Sequence, residues 1–131
     1  MNTQPDGATV AVVGAGPAGF FLADALFRAA PSLRIDMFER LPVPYGLVRY
    51  GVAPDHASIR RITAKFDRTA SQPGFRFFGN VEIGRDLAVA ELRDTYDAVV
   101  LCCGMPEPRR LGIPGEGLPG CYGASDFVGW Y

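Results

Sequence analysis

Residues 8–13, ATVAVV, form an unbroken apolar and β-rich run that stops at Gly14, the pattern of a strand buried on both faces of a parallel sheet. From residue 17 the period changes. Phe20, Phe21, Ala23, Leu26, Phe27 and Ala30 recur at helical spacing, Asp24 and Arg28 stand four apart, and Pro31 ends the run, which predicts a helix over residues 17–30. Leu33, Ile35, Met37 and Phe38 then make a second short strand closing on Glu39. Strand, helix and strand at these lengths are a β-α-β unit, whose right-handed crossover sets the two strands parallel and adjacent.

Residues 41–54 break the regularity. Pro42, Pro44, Gly46, Gly51 and Pro54 bracket apolar and aromatic residues in a long irregular loop, a composition that usually serves a ligand. Beyond it, Asp55 is placed to cap a helix whose apolar stripe is Ile59, Ile62 and Phe66, ending at Pro73 and Gly74. Residues 75–78 and 81–83 are strand material on either side of a Gly79-Asn80 turn. Residues 87–96 contain a short helix, and residues 98–102 a further buried strand that ends before Gly104. In the Pro- and Gly-rich remainder, Ser125 or Asp126 caps a last helix, yet the chain stops about one turn later. Phe127, Val128, Trp130 and Tyr131 are left with nothing after them to bury them, so the sequence reads as cut.

With 131 residues there is room for one domain and not for two nucleotide-binding domains. A hydrophobic share of 48% and a charged share of 21% exclude disorder. The net charge of −1 points to neither nucleic acid nor membrane, although residues 49–76 carry six basic side chains against two acidic ones, a local +4. That stretch is expected to be mostly a solvated helix face. The uncharged run from residue 9 to 23 is broken by Gly14, Gly16, Pro17 and Gly19, so no membrane span is expected, and the polar start has no secretion-signal pattern. The expectation is a cytoplasmic protein. Cys102, Cys103 and Cys121 have no C-x-x-C spacing and are expected to be small buried hydrophobes, and no metal site is expected.

Gly14-Ala15-Gly16-Pro17-Ala18-Gly19 fits G-x-G-x-x-G between the first strand and the first helix. Gly14 permits the tight turn, Gly16 admits a pyrophosphate to the backbone, and Gly19 lets helix and strand pack closely. The phosphates would rest at the helix amino terminus, where unpaired N–H groups and the dipole favour negative charge. Six residues with three glycines are weak evidence alone. Glu39, however, lies 20 positions after Gly19 at the end of the second strand, where a carboxylate accepts hydrogen bonds from an adenosine ribose. The fold class that follows is α/β, a Rossmann-like parallel sheet, incomplete, in a single domain over 1–131. NAD and FAD share the adenosine diphosphate half, so these residues leave the choice between them open; Glu39 argues against the phosphorylated ribose of NADP.

The loop Pro44-Tyr45-Gly46-Leu47-Val48-Arg49-Tyr50-Gly51-Val52-Ala53-Pro54-Asp55-His56 resembles that of the adrenodoxin reductase family, which includes bacterial ferredoxin-NADP reductases of the same type. Phe77-Phe78-Gly79-Asn80-Val81, Tyr96-Asp97-Ala98-Val99-Val100-Leu101, Ile113-Pro114-Gly115-Glu116, Leu118-Pro119-Gly120 and Phe127-Val128-Gly129-Trp130-Tyr131 are similar too, in the same order. The resemblance implies FAD as the cofactor of this segment, with Ala18 at its pyrophosphate, Glu39 at the ribose, and Leu47 and Ile83 on further parts of the flavin nucleotide. Pro17, Arg40, Tyr45, Gly46 and Gly104 complete the implied contact set; Tyr45 is as readily a packing residue that stiffens the loop. It also implies that His56, the single histidine, assists proton and hydride traffic near the flavin. Arg49 is expected either to stabilise charge on reduced flavin or to pair with a carboxylate. Cys102-Cys103-Gly104 departs from the A-T-G-like ending usual in the family.

By this resemblance the parent enzyme takes a hydride from NADPH and passes single electrons to a ferredoxin-like iron–sulfur protein, which the basic stretch could steer if its surface is acidic. The NADPH-binding glycine motif and the segment closing over the flavin are not among these 131 residues, so the chain alone is expected to hold FAD weakly and to oxidise no NADPH. Two alternatives remain open: the electron-feeding flavoprotein of a glutamate synthase, and a non-catalytic nucleotide-binding remnant. Disulfide reductases are disfavoured by the missing cysteine pair.

Overall fold

A computed structural model describes residues 7–53, 55–105 and 107–130. Four parallel strands form one sheet in the order β3-β2-β1-β4: β1 (Thr9–Val13), β2 (Arg34–Glu39), β3 (Phe75–Gly79) and β4 (Ala98–Leu101). The unit read from periodicity is there, with α1 (Pro17–Ala29) crossing from β1 to β2. Val13 pairs in register with Phe38 on one side and Leu101 on the other, so three strands finish at one level.

Alternation along the strands sorts the core into two faces. Val10, Val12, Ile35 and Met37 face α1 and α4 (Thr63–Ala70), packing with Phe20, Ala23, Phe27 and Phe66. Phe20 and Phe66 are each 1% exposed and stack at 4.9 Å. Each such ring contributes roughly 1.5–3 kcal/mol by leaving water. On the opposite face Ala11, Val13 and Phe38 pack with Leu92 of α5 (Val89–Thr95). That face also holds a buried carboxylate. Asp36, 2% exposed, accepts from Nε and Nη2 of Arg76, at 2.7 and 2.5 Å, and from the Tyr96 hydroxyl at 2.6 Å. Those partners lie 40 and 60 residues away, so one charge links β2 to β3 and to the entry of β4.

Three expectations need correction. The helix expected after Asp55 is two pieces, α3 (Ala57–Arg60) and α4. Ile62, between them, and Lys65, in the first turn of α4, donate to carbonyls three residues back, and no side chain caps α4. The bend lays Phe66 on Phe20 and brings Lys65 Nζ to 2.9 Å from Asp24, while Ile59 is left half exposed. Residues 81–83 are not a strand. Asn80, in the left-handed region at φ 58°, turns the chain across the end of β2, where Val81 donates to the Glu39 carbonyl and Asn80 to that of Leu41. Thirdly, Cys103 and Cys121 are exposed and Cys102 only half-buried: Cys102 and Cys103 follow β4, an edge strand, and Cys121 lies in the loop before α6. The irregular loop, in turn, contains a single helical turn, α2 (Leu47–Tyr50), and the last helix, α6 (Ala124–Trp130), starts one or two residues before the expected caps. Among the described residues no helix is long and apolar enough to cross a membrane.

Candidate functional site

In a parallel sheet of this winding, ligands bind beyond the carboxyl ends of the strands where the strand order reverses. Here that point is the end of β1, between β2 and β4. The three glycines of the turn lie together there, each under a different constraint. Gly14 takes φ 105°, donates to the Phe38 carbonyl at 2.8 Å, and would put a Cβ 2.3 Å from the carbonyl oxygen of Cys102. At Gly19 a Cβ would stand 2.2 Å from the carbonyl oxygen of Gly14, so strand and helix meet only because it is glycine. Gly16 is different. Its φ of −81° and ψ of −175° suit any residue, and a Cβ there would meet nothing within 4 Å. Neither backbone nor packing requires a glycine at that position, and the space beside its main chain is open.

α1 begins at this opening with Pro17, without a side-chain cap and without an acid in its first turn, and Ala18 is exposed. Its first N–H groups and dipole favour an anion. Glu39 points into the same crevice. Its Oε2 accepts from the Ala15 amide at 2.9 Å and its Oε1 from the Leu41 amide at 3.2 Å. Each oxygen keeps a second lone pair.

The loop after β2 forms the other wall. Tyr45 donates its amide to the Ala15 carbonyl at 2.7 Å, and Gly46, at φ 50°, approaches so closely that its Cβ would lie 3.1 Å from Gly16 Cα. The Tyr45 side chain turns into the core. Its ring meets Phe20 edge-on at 5.2 Å and Phe66 at 5.6 Å, and its hydroxyl donates to Asp67 Oδ1. This is the packing role that the sequence left equally open. Arg49 lies over the same ring at 5.1 Å and donates to the Pro44 carbonyl, which places it on a ring and a carbonyl. Leu47 opens α2 with its side chain mostly exposed; Arg40 and Gly104 are exposed beside the ends of β2 and β4. Ile83 sits in the apolar cluster with Leu87, across the bridge the two make. His56 stands just ahead of α3, 60% exposed, its Nδ1 3.4 Å from Asp55 Oδ1. Among the described residues no hydrogen bond or ring contact ties it to the glycine turn. Within the basic stretch, Lys65 and Arg76 pair with Asp24 and Asp36, while Arg61 and Arg68 are exposed.

Burial first, and then the bond to Asp67, push the Tyr45 phenol up to about 12; burial and Asp36 do the same to Tyr96. An unfolded tyrosine ionises near ~10. Between pH ~10 and ~12 the folded chain therefore binds more protons than the unfolded one. The stabilisation from these two phenols is complete below pH ~10 and is lost as pH rises toward ~12. Alkaline titration of phenolate absorbance should show two of the five tyrosines ionising late, with the melting temperature falling over that interval. Five tyrosines ionising together near ~10 would contradict the arrangement.

No family model matches the chain. It is 48% identical over 130 residues to the probable mitochondrial NADPH:adrenodoxin oxidoreductase of Schizosaccharomyces pombe, across 99% of this chain and 28% of that protein. To the NADPH-ferredoxin reductase FprA of Mycobacterium leprae it is 51% identical over 127 residues, 93% of this chain and 28% of that one. The structure of Mycobacterium tuberculosis FprA in complex with NADPH superposes with a TM-score of 0.90 at 49% identity, over 95% of this chain and 29% of that one. The chain is a relative of the adrenodoxin reductases and FprA-type ferredoxin reductases. It spans little more than a quarter of the length of the curated relatives it matches. The glycine turn, Glu39 and the 45–50 loop thus belong to a segment shared with the adrenodoxin reductase family, and the sheet is its Rossmann-like FAD/NAD(P)-binding fold. The sequence reading missed Asp67 and the Asp36 group, whose partners are set by tertiary contacts with no local signal.

Proposed function

We propose that this chain is the FAD-binding part of a reductase that moves electrons between NADPH and a ferredoxin-like iron–sulfur protein. The observation that carries the proposal is the unfilled space at Gly16, beside an uncapped helix start and a carboxylate aimed at the same turn. These residues fit an adenine dinucleotide. The amides that open α1 would take the pyrophosphate, and Glu39 would accept from the ribose through its remaining lone pairs. A 2′-phosphate would face the Glu39 carboxylate, which disfavours NADP here, and the resemblance to the adrenodoxin reductase family favours FAD over NAD. Leu47, Ile83, Arg40 and Gly104 line the path proposed for the rest of the flavin nucleotide, and His56 is the side chain proposed to move a proton there. When bound, FAD supplies the coupling of two-electron to one-electron transfer. The exposed Arg61 and Arg68 offer positive charge to a carrier protein with an acidic surface.

The test is a titration of FAD into the chain, followed by flavin fluorescence, for the native sequence and Glu39→Ala. Weak uptake by the native chain is expected, with affinity falling on the order of tenfold or more in the variant as charge-assisted bonds to the ribose are lost. Adding NADPH without oxygen should leave the flavin oxidised. Bleaching by the chain alone would place the nicotinamide site within these residues, and failure to take up any FAD would favour the non-catalytic remnant.

A further inference from the structure

Tyr45 is one of two non-glycine residues described in the left-handed region, at φ 91°. A bulky residue rarely stays there unless its surroundings over-determine it. What holds Tyr45 is visible on both sides. Inward, Phe20 and Phe66 enclose the ring, and Asp67 on α4, 22 residues further along the chain, accepts from its hydroxyl. Outward, the Tyr45 amide is bonded to the Ala15 carbonyl, its carbonyl receives the Val48 amide at 3.2 Å, and the next residue presses on Gly16. The strained residue therefore joins α4 to the glycine turn.

From this geometry we infer that Asp67 is a positioning residue for the dinucleotide crevice, acting through Tyr45 to hold the 45–50 loop against Gly16. The inference rests on the dinucleotide reading above and adds a residue outside the crevice. Without the Asp67 contact, the phenol is left part-buried with one bond unmade, and the left-handed backbone loses one of its restraints. Relaxation of Tyr45 would draw Gly46 away from Gly16 and widen the opening before a ligand arrives. A wider opening must be closed again on binding, so affinity falls although no ligand contact has been deleted. A role confined to packing predicts something else: melting temperature and affinity would fall together, and every part of the sheet would loosen.

Three single variants of this chain, and the double variant that combines the first two, separate the readings. Tyr45→Phe keeps the ring and removes the donor, Asp67→Ala removes the acceptor, and Asp67→Asn keeps an acceptor oxygen. Titration is expected to show FAD affinity reduced roughly fivefold in Tyr45→Phe and in Asp67→Ala, no further in the double variant, and restored in Asp67→Asn. In the ligand-free chain, hydrogen exchange should accelerate at the Tyr45 and Val48 amides while the β1 amides stay protected. Native FAD affinity in the variants, additive losses, or acceleration spread evenly over the sheet would overturn the inference. If the native chain binds no FAD, the dinucleotide reading fails first and this one with it; native binding with unchanged variants removes this one alone.

Discussion

Gly16→Val is expected to abolish FAD uptake while changing the stability of the chain by about 1 kcal/mol or less. The two halves of that result have separate causes. In the ligand-free chain, position 16 has an ordinary extended conformation and nothing within 4 Å of a Cβ, so a side chain is accommodated in solvent. The small cost is that of exchanging a tolerated helix-capping residue for a poorer one. With a dinucleotide bound as proposed, the branched side chain would fill the space between pyrophosphate and backbone and hold the amides of α1 away from the anion. Loss of affinity on the order of a hundredfold or more is expected, read by flavin fluorescence beside a thermal melt. A variant that melts normally and binds FAD normally would show that the phosphates lie elsewhere.

The opposite result is expected three residues on. Gly19→Ala adds a methyl group 2.2 Å from the carbonyl oxygen of Gly14, a backbone atom fixed between β1 and α1. Helix and strand must separate, which disturbs the packing of Phe20 and Ala23 on Val10 and Val12. A loss of roughly 3 kcal/mol is expected. The melting temperature should fall by about 10 °C or more, with binding lost as a consequence of the fold. Two glycines of one motif thus answer to different requirements, and a melt combined with a titration distinguishes them. Equal stability losses at both positions would mean that Gly16 is also a packing residue.

Much of this fold was legible because its first 39 residues alternate between two clear periods. The continuous apolar strand, the helical stripe from Phe20 to Phe27 and the strand closing on Glu39 each permit one arrangement, and the glycines between them mark the ligand end. The stripe Ile59, Ile62, Phe66 was less decisive. It suits one long helix as well as two short ones, and what divides them is the reach of Phe66 to Phe20 and of Lys65 to Asp24, which local pattern does not contain. Asp36 is harder still, since a charge within RIDMFE gives no sign that Arg76 and Tyr96 will close over it. Of the site, the glycine turn and the direction of Glu39 were readable from spacing. The inward turn of Tyr45 and its tie to Asp67 were not, because proline and glycine around a tyrosine announce a loop without saying which way the ring will point.

Among the described residues both outer strands of the sheet, β3 and β4, pair on one side only. β4 has β1 at its inner side and no strand beyond it among the described residues; its sequence, AVVL, carries no charge, and Leu101 is 60% exposed. Such a rim is a template of unsatisfied main-chain donors and acceptors without the lysine or proline that would repel a visitor. A strand laid beside β4 would satisfy those donors and acceptors and cover Leu101.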